Sequence, residues 1–453
     1  MKKQIRLKQL LSKLAIIVFF ISLSACTENT DKSFLHTELF PLTIDHAHGS
    51  SIVELPNGDL LAAWFQGSGE RWADDVRIMG ARLIQGSDSW SEAFIMADVP
   101  EFPDINPVLF LDKEEQLWLI WYTVIANQWD TSLPIYRISN DYMQKSGAPD
   151  WDWQEVLFVK PGDKTERGMH PDDKFVKSVE RQVDEYSKSM DATLGENAEM
   201  QKLQELWKSE VMSKARGEDM IRKGHYIDEE GKRVNGELGY PYFRRMGWQT
   251  KNKAVFIDSG RMILPLYSDG FSFSLMAITD DGGAHWQFSE PLVAPGNIQP
   301  SIAIKKDGTL VSYMRDNGPP PKRLMISESK DRGMTWSMVQ DSQLPNEGSG
   351  ADIVSLENGN WVLAYNDTED GRYSLAVSIS TDEGKTWSFT RHIELDKREP
   401  DIATRSSYPS IIEGKDGIIH VIYSFHRRDM NGEPNETIKY ARIDENWIME
   451  GDK

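Results

Sequence analysis

Polar and ionisable side chains recur at fixed positions of a pattern that this 453-residue sequence repeats six times. Nine residues before the turn of each copy stand Gly49, Asn106, Lys251, Gln299, Gly350 and Tyr408, and the residues just before them are His48, Ile105, Thr250, Ile298, Ser349 and Ser407. Seven residues after the turn stand Phe65, Tyr122, Tyr267, Arg315, Asn366 and Ser424. An arginine fork holds a carboxylate, and a neutral histidine accepts a proton near pH 7. A pocket that gathers these positions would bind an anion and transfer a proton.

The pattern that must position these side chains is an inward strand, a turn and a second apolar strand. Glycine occupies the turn in five copies, at Gly58, Gly260, Gly308, Gly359 and Gly417, and the second copy has Glu115 there. A period of about 50 residues with β-branched and aromatic strands is typical of a β-propeller, with one four-stranded sheet per blade. The sequence therefore predicts an all-β fold, a six-bladed propeller over residues 44–447.

Equivalent positions of a propeller converge, because the innermost strands all start around one axis. We therefore expect one mouth to gather the polar positions of the copies, namely His48, Asn106, Lys251, Gln299, Arg315 and Tyr408. Each has a structural alternative, since Arg315 could be a surface ion-pair partner and Tyr408 a pore-lining aromatic. The convergence of several such groups in one concavity is what indicates a functional site.

A second motif repeats three times at intervals of about 50 residues. It has the form S/T-x-D-x-G-x-x-W and covers residues 279–286, 329–336 and 380–387. The aspartate accepts hydrogen bonds from the backbone of the turn, the glycine takes the left-handed conformation and the tryptophan covers the loop. These motifs resemble the Asp-boxes of the sialidase superfamily, where they are structural. We assign them no catalysis.

From His48 to Tyr423, one inserted segment excepted, the chain resembles the sialidase superfamily. The resemblance implies an exo-acting glycoside hydrolase for a terminal acidic sugar, or a sugar linked to one, with no cofactor. Carried over by position, Arg315 and Arg372 match two of the arginines that hold the substrate carboxylate. Tyr408 matches the nucleophile, and Asp75, or its neighbour Asp74, matches the general acid. Gln299, Asn106 and Lys251 complete the expected substrate-binding set.

Two residues depart from that family pattern. His48 stands where the first arginine is expected, and Gln299 stands where a glutamate would activate the tyrosine. Glutamine cannot accept the phenol proton. The alternatives are therefore a His48-based glycosidase or polysaccharide lyase on uronate-containing glycans, and a non-catalytic glycan-binding propeller. His46 and His48 have no third ligand at a recognisable spacing, so we predict no metal site.

The segment 161–247 interrupts the repeat between the second and third copies. Apolar residues at helical spacing between Phe175 and Arg216 predict two or three helices there, followed by a polar and aromatic stretch. The insertion is either a solvated elaboration or a lid over one face of the propeller.

The first 26 residues differ from the rest of the chain. A basic start precedes the short apolar run 14–23, and Leu23-Ser24-Ala25-Cys26 resembles a bacterial lipoprotein cleavage box. Cys26 is the only cysteine, and we expect its lipidation to anchor the protein in the bacterial cell envelope, at the outer membrane or facing the periplasm, with residues 27–43 as a tether. An ordinary signal peptide and an uncleaved anchor are the alternatives.

The net charge of the chain limits its partners. The formal charge is −20 and becomes more negative once the basic leader is removed, which excludes nucleic acid as an expected partner. The expected partner is an oligo- or polysaccharide, acidic if the mouth supplies local arginines or lysines. The acidity of the surface could equally serve solubility alone.

Overall fold

The computed structural model describes residues 34–163, 170, 172–194, 198–228, 230–257, 260–399, 402–428 and 432–452. These residues form 27 strands, arranged as the six sheets of a β-propeller and one separate hairpin. The leader and the predicted lipidation site Cys26 lie outside the described residues. Of the described helices, none is both long enough and apolar enough to span a bilayer.

The blades follow one another along the chain, each with its innermost strand first. Blade 1 contains β2 (His46–Glu54), β3 (Leu60–Gly67), β4 (Arg77–Leu83) and β5 (Phe94–Ala97). Blade 2 contains β6 (Asp104–Leu111), β7 (Leu117–Val124), β8 (Ser132–Ser139) and β9 (Trp153–Val156). Blade 3 contains β12 (Trp248–Gln249), β13 (Val255–Ile257), β14 (Arg261–Ser268), β15 (Phe273–Thr279) and β16 (Gln287–Phe288). Blade 4 contains β17 (Asn297–Ile304), β18 (Leu310–Asp316), β19 (Arg323–Ser329) and β20 (Gln340–Pro345). Blade 5 contains β21 (Asp352–Ser355), β22 (Trp361–Asn366), β23 (Ser374–Ser380) and β24 (Phe389–Leu395). The prediction of a six-bladed propeller is confirmed.

Blade 6 takes its outermost strand from the start of the described chain. It contains β25 (Arg405–Glu413), β26 (Ile419–Arg428), β27 (Pro434–Ile443) and β1 (Phe34–Glu38). β1 pairs antiparallel with β27, and Phe34 stacks on Trp447 of the final helix, Glu445–Glu450, with ring centroids 4.9 Å apart. The interval 27–43, predicted as a tether, therefore contributes a strand to the propeller. Joining both ends of the chain in one sheet closes the ring and covers the edge of β27.

The insertion packs on the outside of blade 3. It holds α1 (Lys174–Leu194), α2 (Ala198–Ala215), α3 (Tyr242–Arg245) and the hairpin of β10 (Ile221–Ile227) and β11 (Arg233–Gly239). The apolar stripe of α1, with Val179 and Val183, joins Phe271 and Phe273 in one buried core cluster. Arg244 of α3 forms a fully buried ion pair with Asp173, 2.7 Å long, just before α1.

The direction of the strands separates two faces of the propeller. Second strands end at the mouth, and third strands run back from it, so the turns that follow the third strands lie on the opposite face. The three Asp-boxes are those turns. In each, a hydroxyl accepts from the glycine N–H at 2.8–3.0 Å and the aspartate accepts from the backbone N–H four residues on at 2.8–2.9 Å. Their geometry is that of a structural turn.

Candidate active site

The innermost strands of four blades carry the same β-bulge. Pairing with the second strand shifts register just after His48, Ile105, Ile298 and Ser407. The residue at each bulge has a left-handed backbone, with φ of 64° at Gly49, 47° at Asn106, 54° at Gln299 and 55° at Tyr408. A residue with a side chain adopts this conformation at a cost of about 1–2 kcal/mol. A β-bulge changes the direction of a side chain, and strained backbone of this kind clusters at functional sites.

Three of the four bulge residues, Asn106, Gln299 and Tyr408, line a central cavity of about 410 Å³ at the mouth. Six of the predicted site residues line it together: His48, Asn106, Gln299, Arg315, Arg372 and Tyr408. Tyr122 and Tyr267, also positions of the repeat, form part of the wall and accept hydrogen bonds from the Asn106 side chain at 3.2 and 3.4 Å. The register of the repeat thus identified most of the polar lining.

Tyr408 contacts several of the polar side chains of this cavity. Its hydroxyl accepts a hydrogen bond from Arg315 at 2.8 Å and another from the Gln299 amide at 3.0 Å. The guanidinium of Arg372 lies 5.6 Å from the centre of its ring, and the ammonium of Lys251 lies 5.5 Å away. The Tyr408 oxygen is therefore met by two hydrogen-bond donors, and its ring lies close to two cationic side chains.

His48 supplies an uncharged ring beside Tyr408. The two ring centroids are 4.3 Å apart, at an interplanar angle of 51°. Burial lowers the pKa of His48 well below its usual value, and the charges of His46 and Arg372 lower it further. His48 therefore presents an uncharged imidazole, which has one nitrogen free of a proton, whereas the Gln299 amide cannot accept a proton from a phenol.

Lys251 lies beneath Tyr408 rather than in the lining of the cavity. Burial lowers its pKa to about 8, and its ammonium donates to the Pro409 carbonyl at 3.1 Å. The next residue, Asn252, donates to the carbonyls of Gln299, Pro300 and Ala351 at 3.0–3.2 Å. Asn252 lies where the inner strand of blade 3 is interrupted, between β12 and β13, and its bonds cross-link three blades.

Two buried carboxyl groups that sequence reasoning missed face the arginines. The side chain of Glu347 is 2% exposed, lies 3.7 Å from the Arg372 guanidinium and has no hydrogen bond; burial raises its pKa to about 7. Asp269 lines the cavity, and burial raises its pKa while Arg315 opposes that change. Asp269 follows the repeat position Tyr267 by two residues, which is the one sequence signal for it. Glu347 lies in a loop outside the repeat register.

Asp75 and Glu70 both lie in the loop between β3 and β4, and they differ in their position relative to the cavities of the mouth. Asp75 is exposed and accepts hydrogen bonds from the Ser68 hydroxyl at 2.7 Å and the Ser68 N–H at 3.2 Å; the hydroxyl bond is the largest cause of its lowered pKa. Neither cavity described for the mouth includes Asp75 or Asp74 in its lining. Glu70 lines both cavities. Of the carboxyl groups in this loop, Glu70 is therefore the one that reaches the cavities.

Among the described residues, no group of three or more His, Cys, Asp or Glu side chains could hold a metal ion. His46, two residues before His48, instead has one ring nitrogen 2.9 Å from Glu436 and the other 3.6 Å from Glu70.

Comparison with known families gives a match over most of the chain. Residues 58–162 and 206–421 match the model of the BNR repeat-like domain. Among curated proteins, a sialidase of Bacteroides fragilis strain YCH46 is 29% identical over 161 residues, which are 33% of this chain and 29% of that sialidase. The aligned part is thus under a third of the relative.

Solved structures share the fold at low identity. A protein of unknown function from Dyadobacter fermentans has a TM-score of 0.58 at 13% identity, and the alignment covers 91% of this chain and 100% of that one. The NanB sialidase from Streptococcus pneumoniae has a TM-score of 0.56 at 14% identity, with 91% and 71% covered.

Proposed function

The chain belongs to the BNR repeat-like family within the sialidase superfamily, and from that premise we propose that it is an exo-acting glycoside hydrolase that releases a terminal acidic sugar from a glycan. One observation carries the proposal: the Tyr408 hydroxyl is bonded to Arg315 at 2.8 Å in a cavity that Arg372 also lines. The two guanidinium groups can hold a sugar carboxylate beside the tyrosine oxygen.

The proposed reaction proceeds in two steps. The Tyr408 oxygen attacks the anomeric carbon, His48 accepts the phenol proton, and Glu70 protonates the departing glycosidic oxygen. Water then attacks the anomeric carbon and breaks the glycosyl-tyrosine bond; the Glu70 carboxylate accepts one proton of the water, and protonated His48 returns its proton to the departing Tyr408 oxygen. A phenol is neutral before it reacts, so it approaches an anionic sugar without the repulsion that a carboxylate nucleophile would meet.

A second candidate, β-elimination from a uronate-containing polysaccharide, is favoured by the contact between the His48 and Tyr408 rings. In that reaction the arginines neutralise the uronate carboxylate, His48 removes the proton beside it and Tyr408 protonates the leaving oxygen. The product then carries a carbon–carbon double bond and no added water.

The cellular setting is part of the proposal. The leader and Cys26 support a lipid-anchored protein of the bacterial envelope, where a glycan at the cell surface is accessible. Incorporation of a labelled fatty acid into the expressed protein, and its loss in Cys26→Ser, tests the anchor.

The activity test compares the two reactions on purified protein. Sialosides and uronate-containing oligosaccharides are incubated with the protein, and released sugar and the ultraviolet absorbance of unsaturated uronate are measured. We expect sugar release, reduced about 10³-fold or more in Tyr408→Phe. Tyr365→Phe is the matched control, because that hydroxyl contacts Ser378 inside blade 5.

Each other outcome has a distinct meaning. A rise in absorbance that His48→Ala abolishes would replace the hydrolase with the lyase. Binding of an acidic glycan without any turnover would identify a non-catalytic propeller.

A further inference from the structure

A second cavity of about 410 Å³ opens beside the central one, where blade 6 meets blade 1. We call it the side groove, and its residues used here are His46, Glu70, Trp72, Arg372, Arg405 and Glu436. Glu70, Arg372 and His48 line both cavities, so the groove and the central cavity are continuous. A chain that extends from a ligand in the central cavity can therefore enter the groove directly.

The floor of the side groove has an incomplete hydrogen-bond network. Glu436 is held by His46 at 2.9 Å, by His426 at 2.7 Å and by the Ala47 N–H at 3.0 Å. The second ring nitrogen of His46 is buried without a hydrogen bond, and 3.6 Å separates it from a Glu70 oxygen. That separation is too long for a direct hydrogen bond. A hydroxyl group that approaches both atoms from the groove, about 2.8 Å from each, could accept from His46 and donate to Glu70.

The positive charge on His46 allows both of its ring nitrogens to donate hydrogen bonds. Burial acts to lower its pKa, but the contacts with Glu436 and Glu70 together outweigh burial and raise the pKa to about 9. The ring is then cationic at neutral pH, and both of its nitrogens carry protons.

The rim of the groove presents an aromatic face and a free cation. Trp72 is 60% exposed, and the Arg71 guanidinium lies 5.2 Å from the centre of its ring. Gly69 packs so close that a Cβ there would lie 2.8 Å from the indole nitrogen, which limits the positions the ring can take. Of the residues that the structure describes, none forms a hydrogen bond or an ion pair with the Arg405 side chain, which lines the groove. A large exposed ring beside hydrogen-bonding groups matches the apolar face and hydroxyl edge of a sugar.

We propose that the side groove is a subsite for the next sugar of the glycan, the one that departs when the terminal acidic sugar is cleaved in the central cavity. A hydroxyl of this sugar bridges His46 and Glu70 from the groove, its ring lies on Trp72, and Arg405 binds a further oxygen. Glu70 stands at the junction of the two cavities, where the glycosidic oxygen lies. This subsite rests on the proposed hydrolase function.

The test compares two substrates that share the terminal sugar. One is an acidic oligosaccharide, and the other is the glycosyl fluoride of the same sugar, whose leaving group is too small to reach the groove. The quantity compared is the ratio of kcat/KM for the oligosaccharide to kcat/KM for the fluoride. We expect Trp72→Ala and His46→Gln each to lower this ratio about ten-fold, the size of effect expected for the loss of one contact. Trp153→Ala, another exposed tryptophan on β9 of blade 2, should leave the ratio at its wild-type value.

The outcomes separate the subsite from the function. If both substrates are cleaved and the ratio is unchanged in Trp72→Ala and His46→Gln, the subsite is overturned and the hydrolase stands. If the wild-type protein cleaves neither substrate, the hydrolase and the subsite are rejected together. Circular dichroism and the melting temperature of each variant confirm that it is folded.

Discussion

At the scale of single residues, the position of the phenol proton determines the chemistry of the mouth. Gln299 and Arg315 both donate to the Tyr408 hydroxyl, so neither can accept its proton. His48 is uncharged and in ring contact with Tyr408. In the proposed mechanism the proton acceptor is therefore His48, and not the residue at which the family pattern has a glutamate.

This assignment predicts a rescue. His48→Ala should lower kcat about 10²–10⁴-fold, the usual contribution of a general base. Adding Gln299→Glu to His48→Ala should restore at least about ten-fold of that loss, because a carboxylate would then stand 3.0 Å from the hydroxyl. Gln299→Ala in the same background is the control and should restore nothing. A His48→Ala variant with the kcat of the wild type would remove His48 from the reaction.

A second residue-scale prediction concerns Glu347, whose pKa burial raises to about 7. Below that pH the Glu347 carboxyl group is neutral, so the Arg372 guanidinium is available to the substrate carboxylate. Above that pH the Glu347 carboxylate competes with the substrate carboxylate for the same guanidinium. KM for an acidic substrate should therefore rise about five-fold between about pH 6 and pH 8, a modest coupling between neighbouring charges. Steady-state kinetics of Glu347→Gln should show a flat KM over this range. The same rise in that variant would contradict the role of Glu347, and Glu369→Gln, whose partner is Arg323, is the matched control.

Sequence reasoning located the residues that follow the repeat and missed those that do not. His48, Gln299, Arg315 and Tyr408 were found because their distances from the turns are fixed. Glu70 and Glu347 lie on loops, whose paths depend on contacts such as the bond between Asp75 and Ser68 that the repeat does not encode. The predicted acid Asp75 lies in the same loop as Glu70, so the sequence identified the loop but not the carboxyl group that faces the cavity.

At the scale of elements, the insertion supports the rim of the mouth. Phe243 of α3 lies over Gly270, next to the cavity residue Asp269, and the Gly247 N–H donates to the Ser132 carbonyl at the start of β8. The position of α3 in turn depends on the buried pair of Arg244 and Asp173. The helices therefore act on the site through packing at the rim.

The buried pair makes a measurable prediction for the insertion. Arg244→Met leaves the Asp173 charge buried without its cation, and the free energy of unfolding should fall by about 3–5 kcal/mol. Arg233→Met on the exposed hairpin should change it by less than about 0.5 kcal/mol. Urea denaturation followed by tryptophan fluorescence measures both. Equal stability of Arg244→Met and wild type would show that the pair does not hold the insertion in place.

The elements that sequence reasoning did not place are those formed by distant parts of the chain. β1 has five residues and no repeat signature, and its partner β27 is about 400 residues away. The inner strand of blade 3 is broken where the Asn252 side chain bonds carbonyls of blades 4 and 5, and no local sequence pattern predicts these contacts. The helices of the insertion and the strands of the other blades follow local periodicity, and the sequence predicts them.

At the scale of the whole molecule, the structural turns and the candidate site lie on opposite faces of the propeller. The Asp-box turns lie on one face, whereas the bulges, the arginines and both cavities lie on the other. The chain carries a net charge of −20, so attraction of an acidic glycan has to come from the local cations at the mouth. We propose that Tyr408 attacks the sugar that those cations hold.

Trapping the covalent intermediate tests that claim most directly. The protein is incubated with a fluorinated, activated form of the acidic sugar that it releases, and the peptides are mapped by mass spectrometry. We predict one sugar attached to the peptide that contains Tyr408, and none in Tyr408→Phe. Attachment to a different residue, or cleavage by Tyr408→Phe at the wild-type rate, would contradict the account.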